Sequence, residues 1–123
     1  MPLFMLDANM ASYSIRGTPP EVRRHMLAVD PAELCVSSIV AGELLFGARS
    51  KGSPRLTRRV EQFLALMRVL SWDAADTYAA LRHSCRMNGT PLQALDMLIA
   101  AHALSLDLPL ATNNVREFTS RTG

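Results

Sequence analysis

Short apolar runs alternate along this chain with segments in which apolar residues recur at helical spacing. The apolar runs at residues 3–6, 34–36, 69–72 and 108–112 predict strands. Helical spacing predicts helices at residues 21–28, 54–67 and 75–85, and a further helix that carries Asp96. Strands that alternate with helices indicate βαβ units, a largely parallel sheet and right-handed crossovers.

Residues that begin or break helices support this division. Ser37 and Ser38 follow the second predicted strand and are typical of a helix start. Ser53 and Pro54 predict an N-cap followed by proline at the first helical position. The Gly-Thr-Pro sequence at residues 89–91 predicts a break before the helix that carries Asp96.

The length of 123 residues predicts one domain over residues 1–123. Such a chain buries roughly two-thirds of its unfolded surface, which is enough for a hydrophobic core that needs no disulfide or structural metal. Cys35 and Cys85 lack Cys-x-x-Cys spacing, and the opening apolar run is too short for a secretory leader. We therefore expect buried free thiols in a reduced, cytoplasmic protein. No membrane span is expected, because a span needs roughly 18 apolar residues in a row.

Positive charge is mostly arginine. The net charge is +2, and Lys51 is the only lysine among the basic residues. The planar arginine guanidinium can donate two hydrogen bonds to one phosphate. A basic cluster beside an acidic site is therefore typical of a protein that binds a polyanion. A solvated helix face, or a surface for an acidic protein partner, is an equal alternative. The cluster consists of Arg49, Lys51, Arg55, Arg58 and Arg59.

Three acidic residues lie among apolar residues. Asp7 ends the first apolar run, Glu43 precedes Leu-Leu-Phe, and Asp96 opens the apolar segment 97–101. An ionised carboxylate in an apolar setting costs several kcal/mol unless a counter-charge balances it. We therefore predict a shared divalent cation.

The predicted topology brings these acids to one edge of the sheet, because strand carboxyl ends and helix N-termini share that edge. The final strand delivers further oxygen donors there, and Asn9 lies close to Asp7 in sequence. With no histidine or cysteine among them, the donors favour Mg²⁺ or Mn²⁺ over zinc. The added candidates after the last strand are Thr112, Asn113, Asn114 and Glu117.

Each acid also has a purely structural interpretation. Asp7 is a candidate N-cap for a short helix over residues 9–16. A first-turn carboxylate is favoured by the helix dipole, which is an alternative for Glu43 and Asp96. Asn113 and Asn114 are also ordinary turn residues. The three histidines have no ligand spacing and are expected on the surface or in helix packing.

The chain resembles PIN-domain ribonucleases of the VapC toxin type in four segments, which appear in the family's order. These segments are residues 5–9, 36–44, 89–91 with 95–103, and 111–118. This resemblance spans nearly the whole chain. It implies a three-layer sandwich, with a mostly parallel sheet of four or five strands and helices on both faces. It also implies a metal-dependent endoribonuclease, a cognate antitoxin and a homodimer.

Carried over by position, Asp7, Glu43 and Asp96 match the three leading acids of the family. Asn114 stands where many relatives have aspartate, so either Asn114 or Glu117 completes the set. The implied reaction is hydrolysis of an RNA phosphodiester, with tRNA or ribosomal RNA as the substrate. Asp7 and Asp96 then ligate Mg²⁺ or Mn²⁺ directly, and Glu43 binds the metal or orients the attacking water.

Two alternatives remain at this stage. One is a PIN-like module that binds RNA or protein without cutting, which Asn114 keeps open. The other is a signalling receiver domain, which usually has paired early acids and a lysine after a late strand. A surface for the antitoxin helix is also predicted at residues 44–46, with core packing as the alternative use of these apolar side chains.

Overall fold

One parallel sheet forms the centre of the computed structural model, which describes residues 4–17, 20, 24, 28–90 and 93–112. Within these ranges its strands are β1 (Phe4–Leu6), β2 (Leu34–Ser37), β3 (Arg68–Leu70) and β4 (Leu110–Ala111). The spatial order is β3-β2-β1-β4, and every pairing is parallel. The predicted α/β class and parallel sheet are therefore confirmed.

Helices connect these strands in the order that the sequence predicts. The described helices are α1 (Ala8–Arg16), α2 (Ser38–Lys51), α3 (Pro54–Leu66), α4 (Ala75–Met87) and α5 (Ala94–Ser105), and a 3₁₀ turn (Pro31–Glu33) precedes β2. The predictions for residues 54–67, 75–85 and the helix of Asp96 are confirmed. The helix predicted at residues 21–28 falls mostly outside the described residues.

Side-chain caps set the starts of two helices as predicted. The Ser37 hydroxyl accepts from the Ile39 amide at 3.1 Å, and the Ser53 hydroxyl accepts from the Leu56 amide at 3.1 Å. Gly52 ends α2 with a φ of 61°, a left-handed conformation that glycine adopts without strain. The loop between α2 and α3 is short, so these two helices pack closely.

The two faces of the sheet carry separate apolar clusters. Side chains alternate between faces along a strand. Met5 and Cys35 pack with Ala103 of α5 in one cluster. The larger cluster combines alternate strand residues with residues from α1, α2 and α5: Leu6, Met10, Ala11, Leu34, Val36, Val40 and Ile99. The predicted three-layer arrangement is confirmed.

The third strand differs from its prediction. The apolar run predicts a strand near residues 69–72, but β3 ends at Leu70 and Trp72 lies beyond it. The Trp72 amide donates to the Ser38 hydroxyl at 3.0 Å, so a contact with α2 replaces sheet pairing. The fourth strand is also shorter than predicted.

The described thiols and helices agree with two further expectations. Cys35 and Cys85 are both free and buried, as predicted for small apolar residues. No helix in the described part of the chain is long and apolar enough to cross a membrane.

Candidate active site

The predicted acids lie on elements that meet at the carboxyl edge of the sheet. Strands β1 and β2 lead directly into α1 and α2, so residues 7 and 37 lie at that edge. Trp72, just after β3, connects the start of α5 to it: its indole N–H donates to the Leu98 carbonyl at 2.9 Å, and its amide contacts Ser38. The site therefore draws on α1, α2 and α5.

Asp7 is the most buried of the predicted acids. Only 3% of it is exposed, and its Oδ1 accepts from the Met10 amide at 2.7 Å, which makes it the N-cap of α1. Burial raises the pKa of the Asp7 carboxyl, and hydrogen bonds from Thr112 and from the Met10 and Asn9 amides lower it by less. The capping interpretation is confirmed, and the carboxylate also carries a desolvation penalty that capping does not require.

Thr112, one of the oxygen donors predicted after the last strand, has a role that the sequence did not assign to it. Its side chain hydrogen-bonds Asp7. The two residues meet because β1 pairs with β4 and the Asp7 amide donates to the Ala111 carbonyl at 3.1 Å. The position of Thr112 directly after the last predicted strand indicated that it lies at this edge. It did not indicate which of the oxygen donors there bonds Asp7.

Glu43 projects from α2 and is exposed. It lies beyond the first turn of this helix, which contains no acidic residue. The helix-dipole explanation for Glu43 is therefore wrong, because that interaction fades after the first turn. Glu43 lines a cleft together with Ala8 and Asn9, the two residues that follow Asp7. Glu43 therefore lies on the side of α2 that faces the start of α1.

Asp96 lies in the first turn of α5 and is half-buried. This position satisfies the dipole interpretation, which remains compatible with a second role. The Trp72 to Leu98 hydrogen bond is less than one turn further along the helix, so Asp96 lies on the end of α5 that faces the sheet edge.

The cleft beside Glu43 runs between α1, α2 and α3, with a volume of about 310 Å³. Its base is the apolar cluster of Ile15, Ala48 and Val60. Of the basic cluster predicted to hold a polyanion, Lys51 lines this cleft, and Arg59 donates a hydrogen bond to the Ile15 carbonyl at the end of α1. The basic residues of the cluster are all exposed.

A metal ion at this edge suits the chemistry of the donors. In the described ranges, no three histidine, cysteine, aspartate or glutamate side chains form a group that could hold a metal. Asp7, Glu43 and Asp96 are all described, so the structure does not bring these three acids together as one ligand group. Asn114 and Glu117, the predicted completing residues, lie outside the described residues, so the ligand set stays a prediction. The donors are hard oxygens, and a dication would offset the burial penalty on Asp7.

His102 is the buried titratable group that this site does not use. Only 2% of it is exposed, and its Nδ1 has no hydrogen-bond partner among the described residues. Burial lowers the pKa of His102, and Asp73 raises it by less. A packing role, as predicted, accounts for its position within α5. His83 is exposed, and His25 lies outside the described residues.

The residues predicted to receive an antitoxin helix divide between two environments. Leu44 and Leu45 are half-buried and pack against the cluster beneath the cleft. Phe46 is 66% exposed and leaves an aromatic ring on the surface of α2. Core packing therefore explains the first two residues and does not explain Phe46.

Comparison with known proteins supports the expected family. The PIN domain matches residues 4–121. The tRNA(fMet)-specific endonuclease VapC of Salmonella typhimurium is 36% identical over 118 residues, covering 94% of this chain and 89% of that protein. Ribonuclease VapC2 of Rickettsia felis is 31% identical over 120 residues, covering 94% and 90%.

Solved structures agree in fold and extent. The DNA-bound VapBC structure from Salmonella typhimurium has a TM-score of 0.85 at 35% identity and covers 100% of this chain and 95% of that one. VapBC2 from Rickettsia felis, bound to a promoter DNA fragment, has a TM-score of 0.85 at 28% identity and covers 96% and 92%. These matches favour a PIN-type nuclease over a receiver domain.

Proposed function

Because this chain belongs to the PIN-domain family, we propose that it is a metal-dependent endoribonuclease and the toxin of a toxin-antitoxin pair. Residues 1–123 then form a single PIN-like domain that hydrolyses RNA phosphodiester bonds. The observation that carries the proposal is the buried Asp7 carboxylate, whose pKa burial raises, next to an open cleft that Glu43 lines. The hydrogen bonds to Asp7 offset only part of the cost of burying its charge, which favours a functional reason for keeping it.

Asp7, Asp96 and Glu43 would hold Mg²⁺ or Mn²⁺, with Asn114 or Glu117 completing the set. When bound, such an ion lowers the pKa of water and neutralises charge on the scissile phosphate. Hydrogen bonds from the Met10 amide and from Thr112 restrict the orientation of the Asp7 carboxylate. Glu43 is exposed in the cleft, and its role would be to orient water or to accept its proton.

The partners follow from the relatives. The similar structures from Salmonella and Rickettsia are VapBC complexes, so we propose a cognate antitoxin for this chain. The exposed Phe46 on α2 is a suitable contact for an antitoxin helix. A homodimer is also proposed. Since one relative is named for tRNA(fMet), tRNA is the first substrate to test, with ribosomal RNA next, and the cytoplasm is the proposed place of action.

Purified protein incubated with a tRNA pool tests this function. We expect cleavage with Mg²⁺ or Mn²⁺ and none with EDTA. Asp96→Asn should lower the cleavage rate more than about 100-fold, beyond the usual cost of losing an outer-shell partner of a metal. Asp76→Asn is the matched control, because Asp76 is an exposed acid in the first turn of α4. Equal cleavage by the Asp96→Asn variant and the wild type would reject these roles.

The second candidate is a PIN-like module that binds without cutting, which is favoured by Asn114 where many relatives have aspartate. Titration with Mn²⁺ separates the two functions. The non-cutting form would bind Mn²⁺ weakly and show no turnover on any RNA, whereas the nuclease would show saturable, Mn²⁺-dependent turnover.

A further inference from the structure

The cleft between α1 and α2 extends away from the predicted catalytic residues. It is acidic at the end near these residues and basic at the far end. Helices α1 and α2 follow neighbouring parallel strands, so they run in the same direction and pack together. Ala8, Asn9 and Glu43 line one end of the cleft, and Arg16 and Lys51 line the other. Lys51 lies eight positions after Glu43 on α2, which corresponds to about 12 Å along the helix.

Further contacts strengthen the basic end. The Arg16 guanidinium lies 5.4 Å from the centre of the Tyr13 ring, a cation–π contact that restricts its position. Arg59 donates to the carbonyl of Ile15, the residue before Arg16, and so brings another positive charge to this end. Arg16, Lys51 and Arg59 are all exposed, so they are accessible to an anion.

The middle of the cleft is lined by small, polar and apolar groups. Ser12 provides a hydroxyl on the α1 side, while Leu44 and Leu56 provide apolar surface. Gly47 lines the cleft from α2, and a Cβ placed on it would meet no atom within 4 Å. This glycine therefore leaves the cleft open without being required for close packing.

We propose that this cleft binds the RNA strand on one side of the scissile bond, with Arg16 and Lys51 holding a flanking phosphate. This inference rests on the proposed function and adds the path of the substrate. A stacked strand advances about 3.4 Å per nucleotide and an extended strand more. A phosphate about 12 Å from Glu43 is therefore about two to four nucleotides from the cleaved bond.

Charge favours RNA over an apolar protein helix as the occupant of this cleft. A volume of about 310 Å³ is at the low end for ligand pockets and suits a base with its ribose. The basic end complements phosphate, and Asn9 and Ser12 supply groups that can hydrogen-bond ribose hydroxyls.

A steric variant tests the path without weakening the fold. Gly47→Leu fills the cleft and should raise helix stability, because glycine is about 1 kcal/mol less favourable than good helix formers. Gly42→Leu is the matched control: Gly42 lies on the same helix, a Cβ there also meets no atom within 4 Å, and it does not line the cleft. We expect Gly47→Leu to weaken binding of a fluorescent oligoribonucleotide at least 10-fold in anisotropy titrations with EDTA, and Gly42→Leu to bind like the wild type.

A charge variant locates the phosphate. Single uncharged methylphosphonates are placed at each position of an oligoribonucleotide whose cleavage site is known. One substitution, about two to four nucleotides from the cleaved bond, should weaken wild-type binding and have no effect on Lys51→Gln. Arg86→Gln removes the same charge from an exposed position on α4 that does not line the cleft, and it should keep the wild-type pattern.

The outcomes separate this inference from the proposed function. Binding in EDTA needs no turnover, so it tests the path even if the protein does not cut RNA. When the wild type cleaves RNA but Gly47→Leu and Lys51→Gln bind and cleave like their controls, the nuclease assignment stands and the RNA path is wrong. That result would instead fit a cleft that receives an antitoxin helix or a second copy of the chain.

Discussion

At the scale of single residues, Asp7 combines an N-cap with a buried carboxylate at the end of β1. The cap needs only an oxygen that accepts from the Met10 amide, and asparagine provides one as well as aspartate does. The negative charge is therefore not needed to begin α1. Because burial raises the pKa of Asp7, the charge destabilises the folded protein at neutral pH.

Asp7→Asn should accordingly raise the Tm in EDTA at neutral pH while cleavage falls more than about 100-fold. The folded-state pKa of Asp7 is above its unfolded value, so its favourable contribution is present below the unfolded pKa of about 3.9 and is lost as the pH rises through the folded pKa. The Tm difference should therefore shrink on acidification, as measured by thermal unfolding between neutral pH and about pH 4.

Asp30→Asn is the control for this experiment. Asp30 is also an aspartate N-cap, with an acceptor bond from the Ala32 amide at 3.0 Å, but it is exposed. Its replacement should leave the Tm nearly unchanged. A lower Tm for Asp7→Asn than for the wild type at neutral pH would mean that its hydrogen bonds outweigh the burial penalty.

At the scale of elements, helix starts depend on residues that are adjacent in sequence. Ser53 caps α3 through the Leu56 amide, and Pro54 occupies the first helical position. These are local interactions, so the sequence alone located this helix. Helix α3 matters for the site because Leu56 and Val60 line the cleft.

Ser53→Ala should lower the free energy of unfolding by about 1 kcal/mol, since it leaves a helix N-terminal amide without its side-chain acceptor. Urea denaturation followed by circular dichroism measures this change. Ser50→Ala, at an exposed serine near the end of α2, is the comparison and should change stability by less than about 0.5 kcal/mol. A similar loss in both variants would argue against the capping contribution.

At the scale of the whole molecule, the three predicted acids come from separate parts of the chain. Asp7 follows β1, Glu43 is on α2 and Asp96 begins α5. An ion held by all three would favour the folded chain, because the unfolded chain does not bring them together. Binding of the proposed ion would therefore raise the global stability.

Millimolar Mn²⁺ should raise the Tm of the wild type, and an ion at one hundred times its Kd adds about 2.7 kcal/mol to the free energy of unfolding. Asp96→Asn should lose most of this increase, and Asp76→Asn should retain it. Differential scanning calorimetry with and without Mn²⁺ gives the comparison. An increase of equal size in both variants would place the ion elsewhere on the protein.

The sequence by itself determined the order of strands and helices, and the convergence of the acids on one ion stays a prediction. Apolar spacing and caps are local signals, so they located the strands and most helices, and the parallel topology then assigned Asp7 and Asp96 to one edge. Tertiary structure decided what depends on pairs of residues distant in sequence. The bond between Thr112 and Asp7 and the contacts of Trp72 with α2 and α5 are of this kind.

The charged cleft also belongs to the tertiary structure. Its ends contain residues that are separated in sequence and meet only because α1 and α2 pack side by side. The apolar periodicity predicted the length of each helix. It did not predict which helix face lines a solvent-accessible cleft, because that depends on the elements that the helix packs against. For the same reason the sequence grouped Lys51 with nearby arginines, and only the fold paired it with Arg16.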